Sequence, residues 1–599
     1  MCGIAGILFK KKTDINLLTK FENLVKEKQH KRGPDEFNKL EVLPNLFFFH
    51  NMLSIIDIGN AQQPMQDDKG VITYNGEVYN YKDLKYSHEN YVKKSDTEVL
   101  LKGLNKEYID FLNKTNSMFG LGYYNKAKQL LTLCRDRVGI KPVYYIETDE
   151  VFAFASTITP LVIFSQKRLN HSKLWEYYLN RAFKAPATIF DDVFELPPGS
   201  FLEFDVKNTK CSQIKTWWQR DQISNLHTDE NKTIDEIEVL LNDAIKNRLV
   251  ADVPVGLFLS GGVDSSLIAA LTSKQTDNLN AFTVSLYDKQ YDESEYAKRI
   301  CKTFNIGYNE IKVNADDFLQ SIDEWIGIQD DIVADPSALL LYKISEYAHS
   351  LNYRVLLAGE GSDELFAGYN SYKYLNWSKK IYNTFGNVVP FKKSIISLFK
   401  NNSKRYNFLN NSLYKPAFYG TAMIFEPHLI AGLIKNYNSD EPEKAFDVKH
   451  ALDIDIKDRL PNDLLTRSDR STSGASLELR VPFLAHQLVN YSAGICDGLL
   501  MKDKTPKYLI KKLASKYIEH DIIYRKKVGF ELPIRNWLSN ELKSLLQDAI
   551  NNSVQKGFID IKVIEKCFDL HVNQNIDYST KLWAFLCLEL SYKKLCGVS

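Results

Sequence analysis

The feature that most constrains this chain is a short segment in its middle. Val255-Gly256-Leu257-Phe258-Leu259 is followed by Ser260-Gly261-Gly262-Val263-Asp264-Ser265-Ser266 and then by Leu267-Ile268-Ala269-Ala270-Leu271. An apolar run, a glycine turn and a second apolar run at helical spacing predict strand, turn and helix, the opening of a βαβ unit. Further strand-like runs at Ala281-Phe282-Thr283-Val284 and Arg354-Val355-Leu356-Leu357-Ala358 are separated by helical patterns, which predicts a parallel sheet covered on both faces. A helix-like stretch over 234–250 leads into this region, and the pattern from about 375 to 599 is mostly helical.

The first 200 residues read differently. Short β-like runs at 46–49, 71–74, 130–133 and 151–154 alternate with turn signals, among them Asn75-Gly76 and Asp136-Arg137-Val138-Gly139. Helical patterns near 16–29 and 96–113 flank them. A polar stretch, 205–232, is read as a linker between a domain at 1–204 and another at 233–599.

The bulk numbers narrow the function. A formal net charge of +1 gives no electrostatic reason for nucleic acid or an anionic membrane to be a partner. Eight cysteines contain no CxxC pair, so zinc ribbons and thioredoxin-like sites lack support, and sparse thiols fit a cytoplasmic protein. The start, Met1-Cys2-Gly3-Ile4-Ala5-Gly6-Ile7, lacks the basic segment and long apolar run of a secretion signal, and no run is long enough to span a bilayer.

Two sets of residues carry chemistry. Cys2 follows only Met1, and removal of Met1 would put a thiol and an α-amine on one residue. Such an amine, with a reference pKa of about 7.7–8.0, can act as base for its own side chain. In the second set, the two glycines of Ser260–Ser266 allow close backbone approach to a phosphate, with hydroxyls and N–H groups at a helix start. The loop lacks the Gly-Lys-Ser/Thr of a Walker motif.

Arg32-Gly33-Pro34-Asp35, Leu53-Ser54-Ile55-Ile56-Asp57, Gln63-Pro64-Met65, Tyr74-Asn75-Gly76-Glu77-Val78-Tyr79-Asn80 and Ser95-Asp96-Thr97-Glu98 follow Cys2 in order. Together they resemble a class II glutamine amidotransferase domain, an α+β N-terminal nucleophile hydrolase with an αββα sandwich. Ser260–Ser266, preceded by Asp252-Val253-Pro254, and Gly359-Glu360-Gly361-Ser362-Asp363-Glu364-Leu365-Phe366-Ala367-Gly368-Tyr369 resemble the ATP-pyrophosphatase part of the asparagine synthetase family. That likeness implies an α/β parallel-sheet, adenine-nucleotide-binding synthetase domain with a helical C-terminal part. Asp469-Arg470-Ser471, Ser476–Leu484, and Lys526-Lys527-Val528-Gly529-Phe530 with Trp537 match further family blocks.

The resemblance implies roles. Cys2 attacks the glutamine amide, and Asn75 and Gly76 hold the oxyanion. Met52, Leu53, Ser54, Ile55, Ile56, Glu77 and Asp96 line the glutamine pocket, with Asp96 on the ammonium. Leu259, Ser260, Gly261, Gly262, Asp264, Ser265, Val284, Ala358 and Gly359 contact ATP, Asp264 and Asp363 hold Mg2+, Glu360 serves adenylate formation or ammonia handling, and Lys507 stabilises the phosphate transition state. The substrates implied are glutamine, aspartate and ATP, and the oligomer a homodimer. The same machinery on another carboxylate, such as a hexuronic acid of a surface polysaccharide, is the alternative.

Three positions depart from the family pattern. Ala358 stands where the family often has serine, a change that a backbone contact survives. Ala485 stands where a block usually closes with aspartate, and Met52 stands where an arginine clamps the glutamine α-carboxylate. Methionine cannot make that charge-assisted contact. The departure predicts a raised Michaelis constant for glutamine, unless Arg32 or a backbone segment compensates.

Overall fold

The computed structural model describes residues 1–86, 91–221, 226–287, 292–385, 418–437, 443, 445–525, 532–574 and 576–597. The block Lys526–Phe530 and much of 375–450 lie outside the described residues.

The N-terminal part is built on two antiparallel sheets. One has six strands, in spatial order Val193–Glu195, Tyr144–Glu147, Val151–Ala155, Gly3–Phe9, Leu46–Met52 and Glu36–Leu43. The other has seven and is centred on Gly70–Val78, Ser117–Asn125 and Leu130–Arg135. Strand periodicity assigns the layers. Ile4, Leu8, Phe48 and Phe154 point between the sheets, where they meet Val71, Leu131 and Leu133. Their neighbours Ala5, Ile7, Phe49 and Ala153 point outward onto Leu18, Phe21 and Val25 of the helix Ile15–Lys28. On the far side, Val99, Leu100 and Leu104 of the helix Asp96–Glu107 cover Ile72, Tyr74, Phe119 and Leu121. The result is an αββα sandwich.

Two expectations are corrected here. Asn75-Gly76 is not a turn: both residues lie inside the strand Gly70–Val78, opposite Gly120 and Phe119. A side chain is excluded at 76 by the neighbouring strand, because a Cβ there would fall 2.1 Å from the Met118 carbonyl. The polar stretch 205–232 is only partly a linker, since Lys210–Cys211 and Lys215–Thr216 pair with the strand Ser200–Asp205. Those two-residue strands carry no apolar alternation to announce them. The helix expected over 234–250 runs Glu230–Arg248.

The second sheet system is five-stranded and parallel, in the order Gly307–Val313, Asn280–Leu286, Val255–Phe258, Val355–Leu357 and Glu478–Arg480. Chain order runs outward in both directions from the strand Val255–Phe258. The switch point therefore lies between that strand and Val355–Leu357, and the loops 259–262 and 358–361 both leave its C-terminal edge. The final strand, Glu478–Arg480, comes from the region expected to be helical. It follows the helix Thr466–Ser473, all eight residues of which are buried between the two parts of the molecule.

Candidate active sites

At the N-terminal site the strand Gly3–Phe9 begins beside Leu46–Met52 and delivers Cys2 to an open cavity. Met52, Leu53, Ser54, Ile55, Ile56, Gly76, Glu77 and Asp96 all line it with Cys2. Asn75 stands behind: its Oδ1 accepts the Cys2 N–H at 2.8 Å, and its Nδ2 is buried without a partner. A buried amide donor left unpaired is costly unless a ligand completes it, and an oxyanion formed at Cys2 is a suitable ligand.

Charge is held in this cavity by burial and by a network. Burial pushes the Cys2 thiol up, partly offset by the N-terminal ammonium and the Leu53 N–H. Burial also raises the carboxyls of Glu77 and Asp96. Asp96 accepts from Tyr74 Oη at 3.0 Å and from the Val78 N–H at 2.9 Å. The Met1 ammonium lies 3.2 Å from Glu478 Oε2. Burial alone would raise Glu478, but that ammonium and Arg480 outweigh it and bring the carboxyl down to about 2.

Arg32 does not line the cavity. Its Nε donates to the Cys2 carbonyl at 3.3 Å, and its Nη1 binds Ser473 and Asp469, each at 2.9 Å. The expectation that it replaces the missing arginine at 52 is therefore not supported by its position.

At the second site, Gly261 takes φ +68°, and its neighbours close the loop. Ser260 Oγ and Ser265 Oγ lie 3.1 Å apart, and Ser265 Oγ donates to the Gly262 carbonyl at 3.2 Å. The Leu259 N–H donates to the Phe282 carbonyl at 3.0 Å, fastening the loop to the adjacent strand. Gly359 brings the second loop against the first, since a Cβ there would sit 3.0 Å from Asp264 Cβ. Val284 is half-buried against the apolar cluster of Phe282, Ile344 and Leu356.

Lys507 unites these elements. Its ammonium pairs with Asp264 and, at 2.8 Å, with Asp363 Oδ1; Ser362 Oγ donates to Asp264 Oδ1 at 2.6 Å. The two aspartates thus converge on one cation. Among the described residues no group of three or more histidine, cysteine or acidic side chains is placed to hold a metal. Glu360 lies beside them in the loop and accepts from Arg467 Nη2 at 2.8 Å.

Sequence reasoning missed several residues that connect the sites. Arg467 also binds Asp335 at 2.9 Å, and Asp335 in turn holds Arg181 of the N-terminal part at 3.0 Å. Two residues along the same helix, Asp469 holds Arg32 and, at 3.2 Å, Lys141. Glu478 and Arg480 are two more. Their signal was charge at alternate positions of an apolar run, Leu477-Glu478-Leu479-Arg480-Val481, which puts both charges on one face of a buried strand.

The asparagine synthase family model matches residues 236–593, more than half of the chain, and the glutamine amidotransferase domain model matches 1–218. The chain belongs to the asparagine synthase family. A relative from Bacillus subtilis, asparagine synthetase [glutamine-hydrolyzing] 1, is 28% identical over 98% of this chain and 95% of its own. A Methanocaldococcus jannaschii protein, putative asparagine synthetase [glutamine-hydrolyzing] 2, is 30% identical over 66% of this chain and 82% of its own. The Penicillium rubens amidase chyE is 24% identical over 95% of both. Membership makes the chain a glutamine-dependent amide ligase of N-terminal nucleophile type that uses ATP. Among the described residues no helix is long and apolar enough to cross a membrane.

Proposed function

We propose that this ligase is a glutamine-dependent asparagine synthetase. The observation that carries the reading is Lys507 held between Asp264 and Asp363 beside the Ser260–Ser265 loop, in one chain with the Cys2 cavity. With Met1 removed, the Cys2 α-amine takes the thiol proton and the sulfur attacks the glutamine γ-carbonyl. Asn75 Nδ2 and the Gly76 N–H receive the negative oxygen; such donors are each worth about 2.7–4 kcal/mol of barrier. Ammonia leaves, and water releases glutamate from the thioester.

At the second site the hydroxyls and N–H groups of 260–265 hold pyrophosphate oxygens. Asp264 and Asp363, hard oxygen donors already gathered on one cation, would hold Mg2+ carried with ATP, which neutralises phosphate charge. Lys507 stabilises charge on the leaving pyrophosphate as the aspartate β-carboxylate attacks the α-phosphorus. Ammonia then displaces AMP, giving asparagine. Passage through the protein keeps ammonia from being protonated in water. The same reading includes a homodimer in the cytoplasm.

A second reading, amidation of another carboxylate such as a hexuronic acid, draws support from Ala485 and from the relative that carries the name amidase. Purified protein given aspartate, glutamine and ATP is expected to yield asparagine, AMP and pyrophosphate. Cys2→Ala is expected to keep this activity with ammonium and lose it with glutamine. Failure with aspartate and turnover with a uronic acid would move the assignment to the second reading.

A further inference from the structure

The donor cavity carries a charge pattern that hydrolysis of free glutamine does not use. Its lining contains four carboxylates, those of Asp57, Glu77, Asp96 and Glu478, and, among the described residues, no lysine, arginine or histidine side chain. Free glutamine brings an ammonium, an amide and an α-carboxylate. The first two have partners here, in Asp96 and in Cys2 with Asn75. An α-carboxylate needs a cation or several uncommitted N–H groups once it leaves water.

The nearby guanidiniums are committed elsewhere. Arg480 gives Nε to Glu478 at 2.8 Å, Nη2 to Glu77 at 2.9 Å, and Nη1 to the carbonyls of Arg248 and Val250 at 2.8 and 2.7 Å. Arg32 is bound to Asp469, Ser473 and the Cys2 carbonyl, and its buried, unpartnered Nη2 lies off the lining. Two N–H groups of the backbone wall are also used. The Ser54 N–H donates to Asp35 Oδ2 and the Asp57 N–H to Asp252 Oδ2, both at 2.7 Å.

Resting on the glutaminase reading above, we infer that this pocket selects its donor by the ammonium and the γ-amide alone, and accepts a glutamine whose α-carboxyl is capped as an amide at least as well as free glutamine. Capping removes the one group for which the lining, among the described residues, offers no cationic side chain. The chemistry balances as ordinary hydrolysis. The Cys2 sulfur–carbon bond forms at the side-chain carbonyl, the carbon–nitrogen bond of that amide breaks, and the thiol proton departs on ammonia. One water then releases glutamic acid α-amide and restores the thiol.

The test compares L-glutamine with L-glutaminamide on the full chain after removal of Met1. Ammonia release is measured, and mass spectrometry of the product verifies γ-cleavage. The expected result is a kcat/KM for the capped donor equal to or above that for glutamine. Met52→Arg is expected to raise kcat/KM for free glutamine about tenfold or more without helping the capped donor. Asp57→Asn, a milder change at a residue in the left-handed region that asparagine tolerates, is expected to favour free glutamine in the same direction. A tenfold or greater preference of the unaltered protein for free glutamine overturns the inference and leaves the glutaminase reading intact. Hydrolysis of neither donor overturns both.

Discussion

Arg480 pairs with Glu77 across the boundary between the two halves of the molecule, Nη2 to Oε2 at 2.9 Å. Its own carbonyl meanwhile accepts the Ala358 N–H at 3.0 Å, at the edge of the loop 358–361. One residue is thus backbone to the synthetase sheet and side chain to the donor cavity. With Glu478 beside it, Arg480 compensates two buried carboxylates.

Arg480→Met is therefore expected to strip both carboxylates of their shared cation. Breaking a buried pair by removing one partner typically costs about 3–5 kcal/mol. Urea unfolding should show a loss of that size. Adding Glu77→Gln to Arg480→Met should recover part of it, because a neutral amide no longer needs the cation. Full additivity of the two changes would show that the pair is not coupled.

Acid should act through Glu478 in the unprocessed chain. Its folded pKa of about 2 lies below the unfolded carboxyl value of about 4.3. A depressed carboxyl stabilises the fold above the unfolded pKa and loses that contribution as pH falls through the folded one. Stability should thus decline between about pH 4.3 and about pH 2. Glu478→Gln should flatten that part of the curve, measured by denaturant unfolding at stepped pH.

Much of this fold was legible because apolar periodicity is a local property. The strands over 46–49, 71–74 and 130–133 and the βαβ opening at 255–271 were all readable from their own side chains. The cavity residues were legible for a different reason: the motifs from Leu53 to Asp96 lie on segments that the sandwich folds onto Cys2. What stayed hidden was long-range charge. Nothing local says that Arg32 meets Asp469, or that Glu478 meets the N-terminus, since each partner lies hundreds of residues away on the other half. Asn75-Gly76 misled because the dipeptide favours turns in isolation, whereas here sheet pairing and contact with Cys2 override that preference.

Gly76→Ala tests how tightly the donor site is built. The added Cβ would fall 2.1 Å from the Met118 carbonyl oxygen and 2.8 Å from Phe119 Cα, both backbone atoms that cannot swing aside. Overpacking of this kind costs about 1–3 kcal/mol. The strand should shift and carry the Gly76 N–H with it. Glutamine hydrolysis is expected to fall by about 10²–10³, the usual cost of one oxyanion donor, while ammonia-dependent synthesis is retained. Equal loss of both activities would point to general unfolding instead.

Lys507 offers the cleanest separation of the two sites. It is 4% exposed and its ammonium is the cation on which Asp264 and Asp363 converge. Lys507→Met would remove the ammonium that those carboxylates share and the donor expected at the developing pyrophosphate. Exchange of pyrophosphate into ATP, dependent on the acceptor acid, should drop by about 10²–10³. Lys507→Arg keeps the charge but replaces a compact ammonium with a planar fork, so it should recover only part of that loss. Glutamine hydrolysis at Cys2, measured without ATP, should be unchanged in both variants. If exchange survives Lys507→Met, the bridging ammonium is a packing feature of the loops, and the charge that stabilises adenylation comes from another group.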